Sequence, residues 1–129
     1  MGYAFISYSS HDQAHADSLR AMLDKKRIKS WIAPYDIPAG SKYAAVVPYA
    51  IRDCSCLVVI LTENAQNSES VLKELEYATK FRKAIIPIQL EDFAMNSGLA
   101  LYIRTKEIIS VEKIEESEET KKAIRDVEN

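Results

Sequence analysis

The chain alternates between dense apolar runs and longer stretches in which apolar residues recur every three or four positions. Tyr3 to Tyr8 (YAFISY), Leu57 to Leu61 (LVVIL) and Ala84 to Ile88 (AIIPI) are the densest runs. Short runs rich in β-branched and aromatic residues, bounded by polar turns, predict buried strands. Ile28 to Ala33 (IKSWIA) predicts another, and Ile108 to Val111 a short last one. Ala16, Leu19, Met22 and Leu23 form a helical face, opened by a Ser10–Gln13 capping box and closed by Lys25-Lys26-Arg27. Ala44, Val47 and Ile51 form a second, with Ser41 as its cap. Pro48 has no amide hydrogen to bond back to Ala44, which predicts a kink or a helix that starts near Val47. Val71, Leu75 and Ala78, with Leu72 and Thr79 beside them, form a third face, capped by Ser68. About five strands alternating with helices predict an open parallel α/β sheet flanked by helices, in the flavodoxin-like order 2-1-3-4-5.

The stretch from Leu57 to Leu90 carries strand, helix and strand in about thirty residues, a βαβ unit with parallel strands. Ligands of such sheets sit outside the carboxyl ends of the strands. The polar loop Thr62 to Asn67 and the start of the third helix belong to that side. Two glutamates there, Glu74 and Glu76, each lie about 100° from the centre of the apolar stripe, on opposite flanks. Periodicity does not choose between them. Glu74 has small neighbours, Ser70 four residues before and Ala78 four after, which predicts open space around its carboxylate. The loop Pro34 to Ser41 leaves the second strand on the same side. Its two prolines restrict it, and Gly40 permits a turn with positive φ. Glu91 to Leu101 reads as irregular.

With 129 residues the chain is long enough for one core. The predicted domain is residues 1–112. Residues 113–129 are an acidic helix, striped by Ile114, Ala123, Ile124 and Val127, or the start of a linker to a further domain. A hydrophobic fraction of 47% with 28% charged residues predicts a soluble globular protein. The net charge of −2, with no long basic stretch, argues against a direct nucleic-acid partner. No apolar run approaches the ~20 residues of a membrane span. Strand-like sequence begins at Tyr3 with no signal peptide before it, and Ile6 breaks the myristoylation pattern begun by Gly2, so a cytoplasmic location is expected.

Cys54 and Cys56 read as small core residues in a reducing compartment, with no mutual disulfide. His11 and His15 are one helical turn apart but lack a third ligand, so no metal is expected. With glycines only at 2, 40 and 98, neither a dinucleotide-binding GxGxxG nor a P-loop can form. There is no GxSxG elbow. The paired acids of phosphate-accepting receiver domains are missing after the first strand, which ends Ser7-Tyr8-Ser9-Ser10.

Those same residues resemble a known family. Phe5-Ile6-Ser7-Tyr8-Ser9-Ser10-His11-Asp12 resembles the first box of Toll/interleukin receptor (TIR) domains. Trp31 to Gly40 (WIAPYDIPAG) resembles the second box and its BB loop in the form typical of bacterial members. Ser68 to Ala78 and Lys83 to Ile88 resemble the family's catalytic helix and fourth strand. The resemblance covers about Ala4 to Val111 and implies an enzyme that cleaves the bond between nicotinamide and ribose in NAD. It assigns the catalytic carboxylate to Glu74, in Val71-Leu72-Lys73-Glu74-Leu75, and no such role to Glu76. It implies substrate contacts at Ser7, Tyr8, Ser9, Ser10, Trp31, Asp36, Ile37, Gly40 and Ser70. The enzymes of the family usually carry Trp four residues before the glutamate; here that position is Ser70.

The implied chemistry needs one carboxylate. Nicotinamide is cationic in NAD and leaves as a neutral ring, so no general acid is required, and a carboxylate under the ribose stabilises an oxocarbenium-like transition state. NAD is then a substrate, no cofactor is needed, and the product is nicotinamide plus either ADP-ribose or a cyclic ADP-ribose signal. The resemblance places this activity in bacterial antiviral defence signalling, with self-association through the BB loop, Pro34 to Ser41. Two other readings are a non-enzymatic TIR adaptor working by TIR–TIR contact, which Ser70 favours, and a nucleoside deoxyribosyltransferase-like enzyme, which Trp31 to Gly40 disfavours.

Overall fold

A computed structural model of the chain describes residues 2–103 and residue 108. Four strands, β1 (Ala4–Ser7), β2 (Ser30–Trp31), β3 (Cys56–Leu61) and β4 (Ala84–Gln89), form one parallel sheet in the order β2-β1-β3-β4. This is the predicted order. The predicted fifth strand, Ile108 to Val111, lies outside the described residues apart from Ile108, as does the predicted helix or linker at 113–129.

Alternation along the strands sorts the core into two layers. Ala4, Ile6, Cys56, Val58 and Ile60 point to one face, where α1 (Gln13–Lys25) covers them with Ala16, Leu19 and Leu23. Phe5, Leu57, Val59 and Leu61 point to the other, under α2 (Tyr43–Asp53), α4 (Glu69–Lys80) and α5 (Ser97–Ile103). All six residues of β3 are buried, as a central strand covered on both faces requires. Each fully covered Val or Leu contributes roughly 1.5–3 kcal/mol. The two cysteines fall on opposite sides of the sheet, because Cys54 follows the last residue of α2 while Cys56 begins β3; both are buried.

Several local expectations fail for identifiable reasons. The second strand is two residues long. The Asp36 carboxylate accepts the Ile32 amide hydrogen at 2.9 Å and the Asp36 amide bonds back to the Ile32 carbonyl, so the backbone turns away from the sheet. Ser10 does not cap α1. Ser9 caps a short 3-10 turn (Ser10–Asp12) instead, its hydroxyl accepting from the His11 amide, and Asp12 precedes the helix without capping it. Lys42, not Ser41, precedes α2, without a side-chain cap, and α2 runs through Pro48 from Tyr43 rather than starting near Val47. The Thr62 to Asn67 loop holds a one-turn helix, α3 (Glu63–Gln66), capped by the Thr62 hydroxyl. Glu91 to Leu101 contains the start of α5, where Asn96 Oδ1 accepts from the Leu99 amide. The cap of α4 is as predicted: Ser68 Oγ accepts from the Val71 amide.

Candidate functional site

α2 crosses over β1 and α4 follows β3, so the two helices lie side by side on one face of the sheet, in direct contact. The sheet's switch point, between β1 and β3, opens at their N-terminal ends. Glu74 sits there. Val71, Leu75 and Ala78 are fully buried against the sheet, and this rotation turns Glu74 toward α2 and the end of β1. The carboxylate is buried, with 5% of the residue exposed, contrary to the open surroundings its sequence neighbours predict. Glu76 is exposed on the opposite flank, and so is Thr79, which the periodicity set beside the buried stripe.

Both carboxylate oxygens of Glu74 have donors. Ser7, the last residue of β1, shares the face of Phe5, and its fully buried hydroxyl donates to Oε1 at 2.7 Å. The Tyr43 hydroxyl, from the first turn of α2, donates to Oε2. Burial pushes the Glu74 carboxyl up to about 7, with the Ser7 and Tyr43 bonds pulling the other way. The buried carboxyl therefore keeps its proton to higher pH than an exposed glutamate does.

Two clefts meet at this carboxylate. One, of about 340 Å³, is lined by Tyr8, Ser10 and Gln13, by Ala33, Pro34 and Ile37, and by Tyr43, Ser70 and Glu74. The other, of about 320 Å³, lies between α2 and α4, among Ala44, Val47, Pro48, Lys73 and Tyr77. Tyr43, Ser70 and Glu74 line both. Clefts of this size, mostly apolar with a few polar groups, are typical small-ligand sites.

Of the residues assigned to substrate contact, Tyr8, Ser10, Ile37 and Ser70 line the first cleft beside Glu74. Ser7 reaches Glu74 from behind. Ser9 is buried and holds the turn after β1. Trp31 stacks on Phe5, ring centroids 5.1 Å apart. Asp36 forms an ion pair with Arg20 at 2.9 Å besides its bond to Ile32, so it anchors the loop to α1. Gly40 adopts the predicted positive φ, +83°, in the loop that leads to Tyr43. Tyr8 ties the two sides of the cleft together, donating to the Ala33 carbonyl and lying 3.0 Å from Gln13 Oε1.

Tyr43 and Gln13 are the residues the sequence reading missed. Tyr43 stands one turn before Val47 on the apolar face of α2, which was the one local signal for it, and its partner is 31 positions away. Among the described residues no cluster of histidine, cysteine and acidic side chains could hold a metal, and no helix is long and apolar enough to cross a membrane.

The family model for the TIR domain matches residues 4–125. The TIR domain of the Toll-related receptor TRR-2 from Hydra magnipapillata superposes with a TM-score of 0.73 at 19% identity, covering 98% of each chain. The TIR domains of the activated Roq1 resistosome, which directly recognises the pathogen effector XopQ, give 0.65 at 14% identity, over 98% of this chain and 81% of that one. A 2-desoxiribosyltransferase from Leishmania mexicana gives 0.60 at 14% identity, over 84% and 90%. Identities this low establish the fold. No curated protein matches the sequence at a significant level.

Proposed function

The chain belongs to the TIR domain family, and from that premise we propose that it cleaves the nicotinamide–ribose bond of NAD, with Glu74 as the catalytic carboxylate. The observation that carries this reading is a buried carboxylate at the meeting point of two clefts, on the side of the sheet where ligands of open α/β folds sit. In its ionised form Glu74 accepts a ribose hydroxyl and faces the positive charge that develops as nicotinamide departs. In a dry site that attraction is stronger than in water. Tyr8, Ser10, Ile37 and Ser70 supply walls for the dinucleotide. The product is ADP-ribose if water attacks, or a cyclic form if an atom of the adenine or a ribose hydroxyl does. The form of the Trp31 to Gly40 segment supports a role in bacterial antiviral defence, in the cytoplasm, where NAD is at hand.

Self-association is part of the proposal. The segment Pro34 to Ser41 is mostly exposed, with Tyr35 61% exposed, so a second copy can reach it and complete the open side of the first cleft. The test is the initial rate of nicotinamide release against protein concentration over about a hundredfold range. Specific activity is expected to rise with concentration, and Gly40→Pro, which cannot adopt a φ of +83°, is expected to lower it about tenfold or more. A constant specific activity together with a fully active Gly40→Pro variant contradicts the self-association. The second reading, a non-enzymatic adaptor, is favoured by one observation: protein donors already hold both oxygens of Glu74. An adaptor releases no nicotinamide at any concentration.

A further inference from the structure

We propose that Tyr43 is a displaceable positioning residue for Glu74: its hydroxyl holds the acceptor place on Oε2 that a substrate hydroxyl takes when the segment before α2 moves. This rests on the reading of Glu74 as the carboxylate that acts on NAD.

The two donors to Glu74 differ in how freely they can leave. Ser7 is 0% exposed at the end of a central strand, fixed by pairing with β3, so Oε1 stays occupied. Tyr43 is 41% exposed and sits on the first residue of α2, which has no side-chain cap. The chain before it turns through the positive φ of Gly40. Tyr43 is therefore the donor that can yield, and Oε2 the oxygen it frees. Its hydroxyl remains a donor at neutral pH, because burial and then the Glu74 carboxylate push the phenol well above its usual range.

The clefts point the same way. Each is about 300 Å³, at the low end for a small-molecule site. Tyr43 lines both, beside Glu74. Moving it joins them into one trough with the carboxylate at its middle, which suits a dinucleotide cut at an internal N-glycosidic bond. Ser70, exposed beside it, also hydrogen-bonds the Tyr43 hydroxyl, an exposed contact that is given up with the bond to Glu74.

The groups facing Glu74 are Ser7 and Tyr8 from β1 and the turn after it, Tyr43 from α2, and Ser70 on its own helix, with Lys73 lining the second cleft. Removing the Tyr43 hydroxyl takes away one of the two bonds that favour the carboxylate, so the Glu74 titration must move to higher pH.

The experiment compares wild type, Tyr43→Phe and Ser7→Ala. It reads the Glu74 carboxyl titration by carbon-13 NMR and KM and kcat for NAD by nicotinamide release, at a pH above the titration. In Tyr43→Phe the titration is expected to rise and KM to fall about tenfold, since a hydrogen bond to an ionised group no longer competes with substrate. In Ser7→Ala the titration rises and KM does not fall. A Glu74 titration that does not move in Tyr43→Phe overturns the proposal, and so does a KM that stays or rises. If no protein releases nicotinamide, the NAD reading fails and displacement by NAD fails with it, while the titration still decides whether Tyr43 holds Glu74.

Discussion

The two flanks of α4 start alike and end differently. Glu74 and Glu76 are equidistant from the stripe of Val71, Leu75 and Ala78, carry the same charge, and share one helix. Glu76 faces solvent. Glu74 is buried under the first turn of α2 and against the end of β1, with a hydroxyl on each oxygen. The difference does not arise in the helix. It arises from which flank the crossover over β1 closes, and that follows from the strand order β2-β1-β3-β4. Topology, not local sequence, converts one of two equivalent glutamates into a group that titrates near neutrality.

The contrast can be sharpened by stability. Glu74 is raised from its ordinary 4.5 to about 7 in the folded protein. Between these values the folded state holds a proton that the unfolded chain has lost, so stability falls as pH rises from about 4.5 to 7 and is flat above. Glu74→Gln removes this slope. Relative to wild type it is expected to gain on the order of 1–3 kcal/mol between pH 5 and pH 8, whatever constant offset its amide introduces. Glu76→Gln, on the exposed flank, is expected to stay within about 0.5 kcal/mol of wild type at both. Denaturant unfolding at the two pH values measures both variants. A Glu74→Gln difference that does not change with pH would show that the carboxylate is not destabilised by burial.

A smaller effect concerns the wall beside Glu74. Ser70→Trp places an aromatic ring where the two clefts meet and is expected to raise NAD turnover about two- to threefold by stacking on the substrate. Nicotinamide release at saturating NAD reads it. A large fall, with the circular dichroism spectrum intact, would mean that Tyr43 already fills the aromatic position and the added ring blocks the trough.

Much of the frame was legible because it is dense in pattern. β1, β3 and β4 are continuous apolar runs, and α4 has both its stripe and its Ser68 cap in view. What escaped is where side chains rather than periodicity direct the backbone. Asp36 takes the Ile32 amide out of the sheet and shortens β2, Thr62 caps a helix too short to show a period, and Asn96 reads as a turn residue while capping α5. At the candidate site, pattern put Glu74 and Glu76 on equal terms and only the family resemblance separated them. Its burial and the role of Tyr43 needed a contact across 31 positions that no local window contains.

The most direct measurement is nicotinamide release from NAD by wild type, Glu74→Gln and Glu76→Gln, side by side, at high protein concentration. Loss of the one carboxylate that faces the developing charge is expected to cost about a thousandfold or more, comparable to removing a preorganised electrostatic group from other active sites. Glu76→Gln is expected to stay within about threefold of wild type, because the charge it removes lies in solvent on the far flank. Wild-type turnover in Glu74→Gln, or an equal loss in both variants, would contradict the claim that burial by α2 and β1 singles out Glu74 as the working carboxylate.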